Sequence, residues 1–155
     1  MKRAEFLDSL RVERREWDRL LAQFGEARME QVGVEGEWSL KDLIAHVAWY
    51  EREMVELFRA RRLAGSDLWR FPHNQRNEAI YQSNRSRPLA EMLAEGREVF
   101  SQFLEGFASL TDEDLADPAR FADMPPDWVP RDVIAGNSYE HYREHIPVIR
   151  AWLAK

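Results

Sequence analysis

The feature that most constrains the fold of this sequence is a helical spacing of apolar residues that recurs in four long segments. In each segment apolar side chains return at steps of three and four residues, which places them on one face of a helix. No segment of useful length alternates apolar and polar residues as a half-buried strand does. The pattern predicts an all-α protein, an antiparallel four-helix bundle with a short extra helix between helices two and three.

The first two helices have recognisable ends. Helix one is predicted to stop at Gly25. Ser39 precedes the second apolar stripe and Asp42 follows three residues later, so the hydroxyl and the carboxylate can each satisfy free N–H groups of a first helical turn. Helix two is predicted to run to about residue 63. The arginines within 59–62 complement its dipole and are interpreted as solubilising the helix end.

The next part of the chain is less regular. A short helix is predicted around 77–81, and Pro88 suits the first position of a long helix three. Gly96 lies within the apolar stripe of helix three, which predicts the close approach of another element. The proline-rich stretch 111–130 has no sustained period and is interpreted as an ordered surface connection.

Helix four is predicted from about Arg131 to Leu153. Pro147 within it lacks a backbone N–H and crowds the preceding turn, so a kink or a local loosening is expected there. Residues 38–45 and 128–135 match at Trp, a basic residue, Asp, an apolar residue, Ile and Ala, at a fixed offset of 90. An approximate internal twofold would leave such a match, which predicts that helices two and four are partners.

Length and composition narrow the class of protein. The chain has 155 residues, 45% of them hydrophobic, which suffices for one core and predicts a single domain over residues 1–155. It contains no cysteine, so a thiolate metal site and a cysteine nucleophile are excluded, and a metal would need histidine and carboxylate ligands. The formal net charge of -6 argues against nucleic acid as a partner, since phosphates select a basic surface.

Neither a targeting segment nor a membrane span is recognisable. The first residues lead directly into charged amphipathic sequence and lack the apolar stretch of about 7 to 15 residues that a signal peptide needs. Nowhere do about 18 apolar residues follow one another. A cytoplasmic protein without a membrane partner is therefore expected.

Three of the four histidines lie on stripes that are predicted to face inward. His141 and His145 are four residues apart, so both imidazoles leave helix four on the same side and can reach one metal ion. His46 lies on the apolar stripe of helix two. If these helices are neighbours, the three side chains form an open site that leaves room for water or substrate. The alternative is three core histidines that are satisfied by hydrogen bonds.

Residues beside these histidines are candidates for a pocket. Asn137 lies one turn before His141 and is placed to contact a substrate or a ligand side chain, or else is a solvated helix residue. Tyr50 and Tyr142 either line the cavity or belong to the core. His73, beside a proline in irregular sequence, is interpreted as a surface residue. No catalytic residue is identified.

Other chemistries lack a signature in this sequence. There is no Gly-rich phosphate loop and no Gly-x-Ser-x-Gly elbow. Glu13 and Glu53 are interpreted as exposed helix charges. Trp69 and Phe71 are apolar residues in a stretch that is predicted to be exposed, which favours a homodimer.

Two stretches resemble the DinB superfamily of four-helix bundles, also called DinB/YfiT-like, and within it the ClbS/DfsB branch. The first is Trp38-Ser39-x-Lys41-Asp42-Leu43-Ile44-Ala45-His46 with Trp49-Tyr50-Glu51 following. The second is Asn137-x-x-x-His141-Tyr142-x-x-His145-x-x-x-Ile149-x-x-Trp152-Leu153. With the Asn77 to Tyr81 region and Leu115, the resemblance covers nearly the whole chain.

The resemblance implies a metal, often zinc or nickel, held by one histidine on helix two and a His-x-x-x-His pair on helix four. His46, His141 and His145 match these positions. Characterised relatives include transferases that use bacillithiol or mycothiol and a thiol-dependent maleylpyruvate isomerase. The ClbS branch is similar in fold and protects cells by hydrolysing a reactive cyclopropane toxin, without a clear dependence on metal.

Two functions follow as hypotheses. In the first, a divalent ion on the three histidines binds and acidifies a thiol or water that attacks a small electrophile, as in an S-transferase or hydrolase of stress response or detoxification. Because the chain has no cysteine, a thiol would arrive as a low-molecular-weight cosubstrate. In the second, a metal-free bundle of the ClbS/DfsB kind binds a reactive small molecule or protects against a toxin. A purely structural bundle is the third possibility.

Overall fold

Four long helices form the frame of the molecule, and the computed structural model describes all residues, 1–155. They are α1 (Arg3–Leu21), α3 (Leu40–Ala60), α5 (Leu89–Phe107) and α8 (Tyr139–Leu153). Shorter helices lie in the connections: α2 (Glu26–Met29), α4 (His73–Asn84), α6 (Asp112–Ala116) and α7 (Pro130–Gly136). Single 3-10 turns occupy Asp67–Arg70 and Pro118–Arg120. The prediction of an all-α bundle is confirmed, and α4 is the predicted extra helix, longer than expected.

The long helices pack in two main pairs, α3 with α5 and α1 with α8, while α4 packs against α3. Their apolar stripes meet in one core, in which Phe6, Leu10, Phe103 and Phe107 are fully buried. The absence of a side chain at Gly96 allows α3 and α5 to approach closely, because a Cβ there would lie 3.3 Å from Ile44 Cγ2. This confirms the close approach predicted at Gly96.

The start of α3 follows the predicted capping pattern. Ser39 Oγ accepts a hydrogen bond from the Asp42 N–H, and the Asp42 carboxylate accepts one from the Ser39 N–H. The helix ends at Ala60, a turn earlier than expected, where Arg61 takes a left-handed conformation with φ 51°. Helix α7 begins at Pro130, offset by 90 residues from Leu40 at the start of α3, so the two matching stretches do begin helices at equivalent positions.

The predicted fourth helix is two helices. The break lies at Asn137 and Ser138, where the Ser138 hydroxyl donates to the Ile134 carbonyl and the Asn137 amide donates to the Val133 carbonyl. These side chains bond to the carbonyls of the preceding turn, and such competition with backbone hydrogen bonds bends or ends a helix. The single helix predicted from Arg131 is therefore wrong. Helix α8 continues through the expected kink site at Pro147 without interruption.

Part of the connection between α5 and α7 is buried in the core. Leu115 and Phe121 are buried in the core. Arg61 pairs with Asp114 at 3.0 Å and Arg62 with Asp123 at 2.7 Å. These arginines were interpreted as solubilising a helix end, but their partners show that they also attach the connection to the end of α3. No helix is both long and apolar enough to cross a membrane.

Candidate metal centre

Three histidines predicted from the sequence meet in the middle of the bundle. His46 lies in the second turn of α3, and His141 and His145 lie one turn apart on α8. All three are buried. The Nε2 atom of His141 is 3.0 Å from that of His46 and 3.0 Å from that of His145. The structure therefore brings one ring nitrogen of each side chain to a common point, and the ligand atoms all lie within 4.8 Å of one another.

Two features of the backbone place these rings. The cap at Ser39 starts α3 so that His46 lies on the face that meets α8. The break at Ser138 starts α8 three residues before His141, independently of the direction of α7. Because residues four apart share a helix face, His145 then follows His141 to the same point.

Burial keeps the imidazoles of His46 and His141 neutral. Burial, together with the neighbouring His141 and His145, lowers the pKa of His46 to about 2. The pKa of His141 falls to about 3, again through burial and then through His145. A neutral imidazole has one nitrogen with a free lone pair, which is the form that ligates a metal.

Glu35 orients the third histidine. Its Oε2 atom lies 3.1 Å from Nδ1 of His145, and this hydrogen bond lowers the pKa of Glu35. A carboxylate accepts, so Nδ1 of His145 carries the proton and Nε2 presents its lone pair to the centre. Glu35 belongs to a tight turn that closes with a hydrogen bond from the Trp38 N–H to its carbonyl, and Gly36 in this turn has φ 60°.

The donor set fits a transition metal. Bonds of about 2.0–2.1 Å in a tetrahedral arrangement place two nitrogens about 3.3 Å apart, close to the 3.0 Å between the Nε2 atoms here. All three ligand atoms lie within 4.8 Å of one another, and one cation could accept a lone pair from each neutral ring. The Nδ1 atoms of His46 and His141 are buried and have no hydrogen-bond partner, so only His145 has the carboxylate support that is usual for such ligands.

Aromatic rings enclose the centre on the α4 side. The Tyr50 ring lies 5.1 Å from the His46 ring and 5.0 Å from the His141 ring, between centroids. The Tyr50 hydroxyl donates to Asn77 Oδ1 at 2.6 Å. Asn77 in turn lies 3.3 Å from Nε2 of His73. His73 is exposed as expected, but it belongs to a hydrogen-bonded path that ends at Tyr50, a placement that no sequence signal indicated.

Two residues predicted to lie near the metal have other partners. The Asn137 amide donates to the Val133 carbonyl and lines a cavity beside α7. Tyr142 is fully buried and is directed toward α1 and α3, where its hydroxyl bonds to the carboxylate of Glu51 and accepts from Nη1 of Arg14 at 2.8 Å. The core alternative for Tyr142 is therefore the one that the structure supports.

Three buried charges escaped the sequence analysis. Arg14 and Glu51 lie on the inner faces of α1 and α3, 3.7 Å apart. Burial raises the pKa of Glu51 to about 7, although Arg14 opposes the shift. Glu53 was interpreted as an exposed charge, and this is wrong: it is buried, and it accepts hydrogen bonds from the Ser66 N–H and from Trp69 Nε1. Its position on the α3 stripe between Tyr50 and Leu57 was the available signal.

Comparison with known proteins agrees with this architecture. A crystal structure of an uncharacterised protein from Escherichia coli UTI89 superposes with a TM-score of 0.79 at 17% identity, covering 97% of this chain and 92% of that one. A structure described as the sibling lethal factor precursor DfsB superposes with a TM-score of 0.80 at 16% identity, covering 98% and 95%. At these identities the likeness shows a shared fold.

The sequence itself supports a family assignment. No curated protein matches the chain. The model of the DinB superfamily matches residues 9–149, which is most of the chain and includes all three histidines. The chain therefore belongs to the DinB superfamily.

Proposed function

We propose that this protein is a metal-dependent enzyme that acts on a small electrophile, of the thiol S-transferase or hydrolase type, and that His46, His141 and His145 hold a divalent transition metal, zinc or nickel. The observation that carries the proposal is the convergence of three buried Nε2 atoms, 3.0 Å from one to the next. Membership of the DinB superfamily is compatible with it. A bound divalent ion would supply local positive charge and lower the pKa of a thiol or water beside it.

The side chains around the centre have defined tasks in this proposal. Glu35 holds the ring of His145 in one tautomer. Tyr50 packs against two of the three imidazoles and excludes water from their α4 side, and its hydroxyl is held by Asn77. With three protein ligands, the coordination shell is open for a thiol, a water or a substrate atom.

The proposed reaction is a nucleophilic substitution at a small electrophile. The sulfur of a low-molecular-weight thiol, or the oxygen of water, forms the new bond to the electrophilic carbon. The bond from that carbon to its leaving group breaks with its electron pair, and the proton of the nucleophile passes to solvent. Because the chain has no cysteine, the thiol is a cosubstrate in the transferase case. A role in detoxification or stress response is consistent with such chemistry.

A metal analysis tests this proposal directly. We expect the purified protein to bind about one transition metal ion per chain, as three neutral imidazoles allow, and His141→Ala to lose most of it. His73→Ala is the matched control, since this exposed histidine lies outside the convergent set. Full metal content in His141→Ala would disprove the site. Loss of metal in His73→Ala would show that the site includes residues outside the three proposed histidines.

A second assay separates the two reaction types. Metal-loaded protein would be mixed with a simple epoxide or alkyl halide, with and without a small thiol, and the products identified by mass spectrometry. A thioether product indicates a transferase, whereas an alcohol formed equally without thiol indicates a hydrolase. If neither product forms faster than with His141→Ala, the proposed chemistry is wrong.

One observation favours a second candidate, a metal-free bundle of the ClbS/DfsB kind that binds a small molecule or protects against a toxin. The buried Nδ1 atoms of His46 and His141 lack the hydrogen bonds that usually support metal ligands. In this case ligand binding persists after complete chelation. A homodimer is part of either proposal, since Trp69 and Phe71 are 37% and 48% exposed, and sedimentation would test it.

A further inference from the structure

A cavity of about 870 Å³ lies between the second half of α3, the turn at Asp67–Arg70, α4 and α7, and none of the three histidines lines it. Its wall includes Glu53, Trp69, Arg76, Trp128 and Asn137. We infer that this cavity binds an organic ammonium ion with an apolar, aromatic body. The inference does not depend on a metal at the histidines.

Glu53 provides the anionic group of this site. It is only 9% exposed and lines the cavity. Both of its hydrogen bonds end on Oε1, at 2.6 Å from the Ser66 N–H and 2.7 Å from Trp69 Nε1. The other oxygen has no donor within the chain, although an ionised carboxylate offers about four acceptor positions. A ligand with a cationic N–H donor can therefore bind the remaining acceptor positions of the Glu53 carboxylate.

The backbone around Glu53 is arranged to keep this carboxylate in place. A Cβ atom on Gly65 would lie 2.5 Å from Oε1, so a larger residue at this position would displace the Glu53 carboxylate. The following residue, Ser66, then donates its N–H to the same oxygen and caps the turn with its hydroxyl. Glu53 is thus a rigid feature of the cavity wall.

The charges nearby leave Glu53 without a cation. Its two donors are neutral groups. The nearest candidate, Arg76, donates to the carbonyls of Leu68 and Phe71, and its guanidinium lies 4.6 Å from the Trp69 ring centroid. Arg70 is directed to solvent beside Asp67. Because a buried carboxylate without a counter-ion is costly, an anionic ligand is disfavoured here and a cationic one is favoured.

The aromatic part of the wall selects the body of the ligand. Trp69 and Trp128 line the cavity and remain 37% and 42% exposed; Arg76 lies over one face of Trp69, which leaves the Trp128 indole as the aromatic surface for a ligand. Indole faces attract ammonium groups and stack on aromatic rings. A volume of this size also lies within the usual range for small-molecule sites, about 300 to 1,000 Å³.

Three matched probes test the charge requirement. They are 2-phenylethylamine, the neutral 2-phenylethanol and the anionic 3-phenylpropionate, which are similar in shape. Binding would be measured by calorimetry and by tryptophan fluorescence on chelator-treated protein, so that the outcome is independent of the metal proposal. We expect the amine to bind at least tenfold more tightly than either analogue. Absence of amine binding, or equal binding of the carboxylate, would overturn the inference.

Variants then locate the bound amine. Glu53→Gln keeps the shape and the acceptor for Ser66 and Trp69, but removes the charge, so we expect at least a tenfold loss of affinity. Asp67→Asn is the control, since this carboxylate is 86% exposed at the rim and should change affinity less than twofold. A fold check by circular dichroism accompanies both. If Glu53→Gln binds like the wild type, or if Asp67→Asn loses as much, the assigned site is wrong.

Discussion

Two consecutive residues of α8 belong to two very different polar clusters. His141 faces α3 at His46 and ends in a group of lone pairs that converge on one point. Tyr142 faces the other way and bridges Arg14 and Glu51, whose charges are opposite. Both clusters are buried. The first contains no charged partner apart from Glu35 beside His145, whereas the second includes the guanidinium of Arg14.

The difference shows how burial alone fails to identify a functional site. In the Arg14 cluster, the guanidinium, the phenol and the carboxylate form a directed chain of hydrogen bonds, which leaves only Oε2 of Glu51 without a partner. In the histidine cluster, burial favours neutral rings for His46 and His141, and the Nδ1 atom of each has no hydrogen-bond partner. We therefore expect the first cluster to govern stability and the second to govern ligand binding.

The largest expected effect is on the stability that the Arg14 cluster provides. At pH 8, above the pKa of about 7 of Glu51, Arg14→Met leaves this buried carboxylate without its cation, and breaking a buried pair in this way costs about 3–5 kcal/mol. His141→Ala should cost much less in metal-free protein, because it removes a ring whose Nδ1 has no partner. Urea denaturation of both variants measures the free energy of unfolding. A smaller decrease for Arg14→Met than for His141→Ala would contradict the assignment of the Arg14 cluster to stability.

The next effect concerns metal-dependent stabilisation. A free metal concentration of about 100 times the Kd stabilises a protein by about 2.7 kcal/mol, which corresponds to roughly 5–11 °C in Tm for a chain of this size. We expect zinc or nickel to raise the Tm of the wild type and of His73→Ala by this amount. His141→Ala and His145→Ala should show almost no shift in the same thermal scans, and a full shift in either would place the metal elsewhere.

The histidine cluster and the Arg14 cluster should change stability with pH in opposite directions. The pKa of His46 and His141 is lowered from 6.5 to about 2 and about 3, so below pH 6.5 the unfolded chain binds more protons and stability falls as pH falls. The pKa of Glu51 is raised from 4.5 to about 7, so its contribution is present below pH 4.5 and is lost as pH rises toward 7.

Metal-free variants test these opposite slopes between pH 4.5 and 6.5. Each group contributes about 1.4 kcal/mol per pH unit in its own direction. Glu51→Gln should therefore make the rise of unfolding free energy with pH steeper than in the wild type, and His141→Ala should make it flatter. Parallel curves for the wild type and both variants would contradict the assignment of charge states.

The smallest expected effect is that of Glu35. Glu35→Gln retains an acceptor for His145 but removes the negative charge, so we expect metal affinity to fall about tenfold, at the low end for such supporting groups. Stability without metal should hardly change, because Glu35 is half exposed. Competition with a chromogenic chelator measures the affinity, and an unchanged value would show that the hydrogen bond does not tune the centre.

Much of the fold and the ligand set could be predicted from local patterns. The Ser39 and Asp42 pair marks the start of α3 because capping depends on residues three apart. The spacing of His141 and His145 indicates a shared helix face for the same reason. The break at Ser138 could not be predicted, since its side chain competes with backbone bonds only once the chain is already helical.

Local sequence patterns did not predict the roles of residues whose partners lie far away along the chain. Glu35 lies in a short turn, and only the packing of that turn against α8 brings its carboxylate to His145. Glu53 resembles a solvated helix charge until the turn at Ser66 and Trp69 closes over it. Arg14 and Glu51 interrupt apolar stripes, and their pairing across two helices with Tyr142 is visible only in three dimensions.

The sequence by itself therefore determined the all-α class, the main helix starts and the shared helix face of His141 and His145, because helical periodicity and capping are properties of near neighbours. Only the tertiary structure decided which carboxylates are buried, which histidine is supported by Glu35, and where a second cavity lies. The physical reason is that burial and charge pairing arise between segments far apart in the chain, and a local pattern carries no information about them.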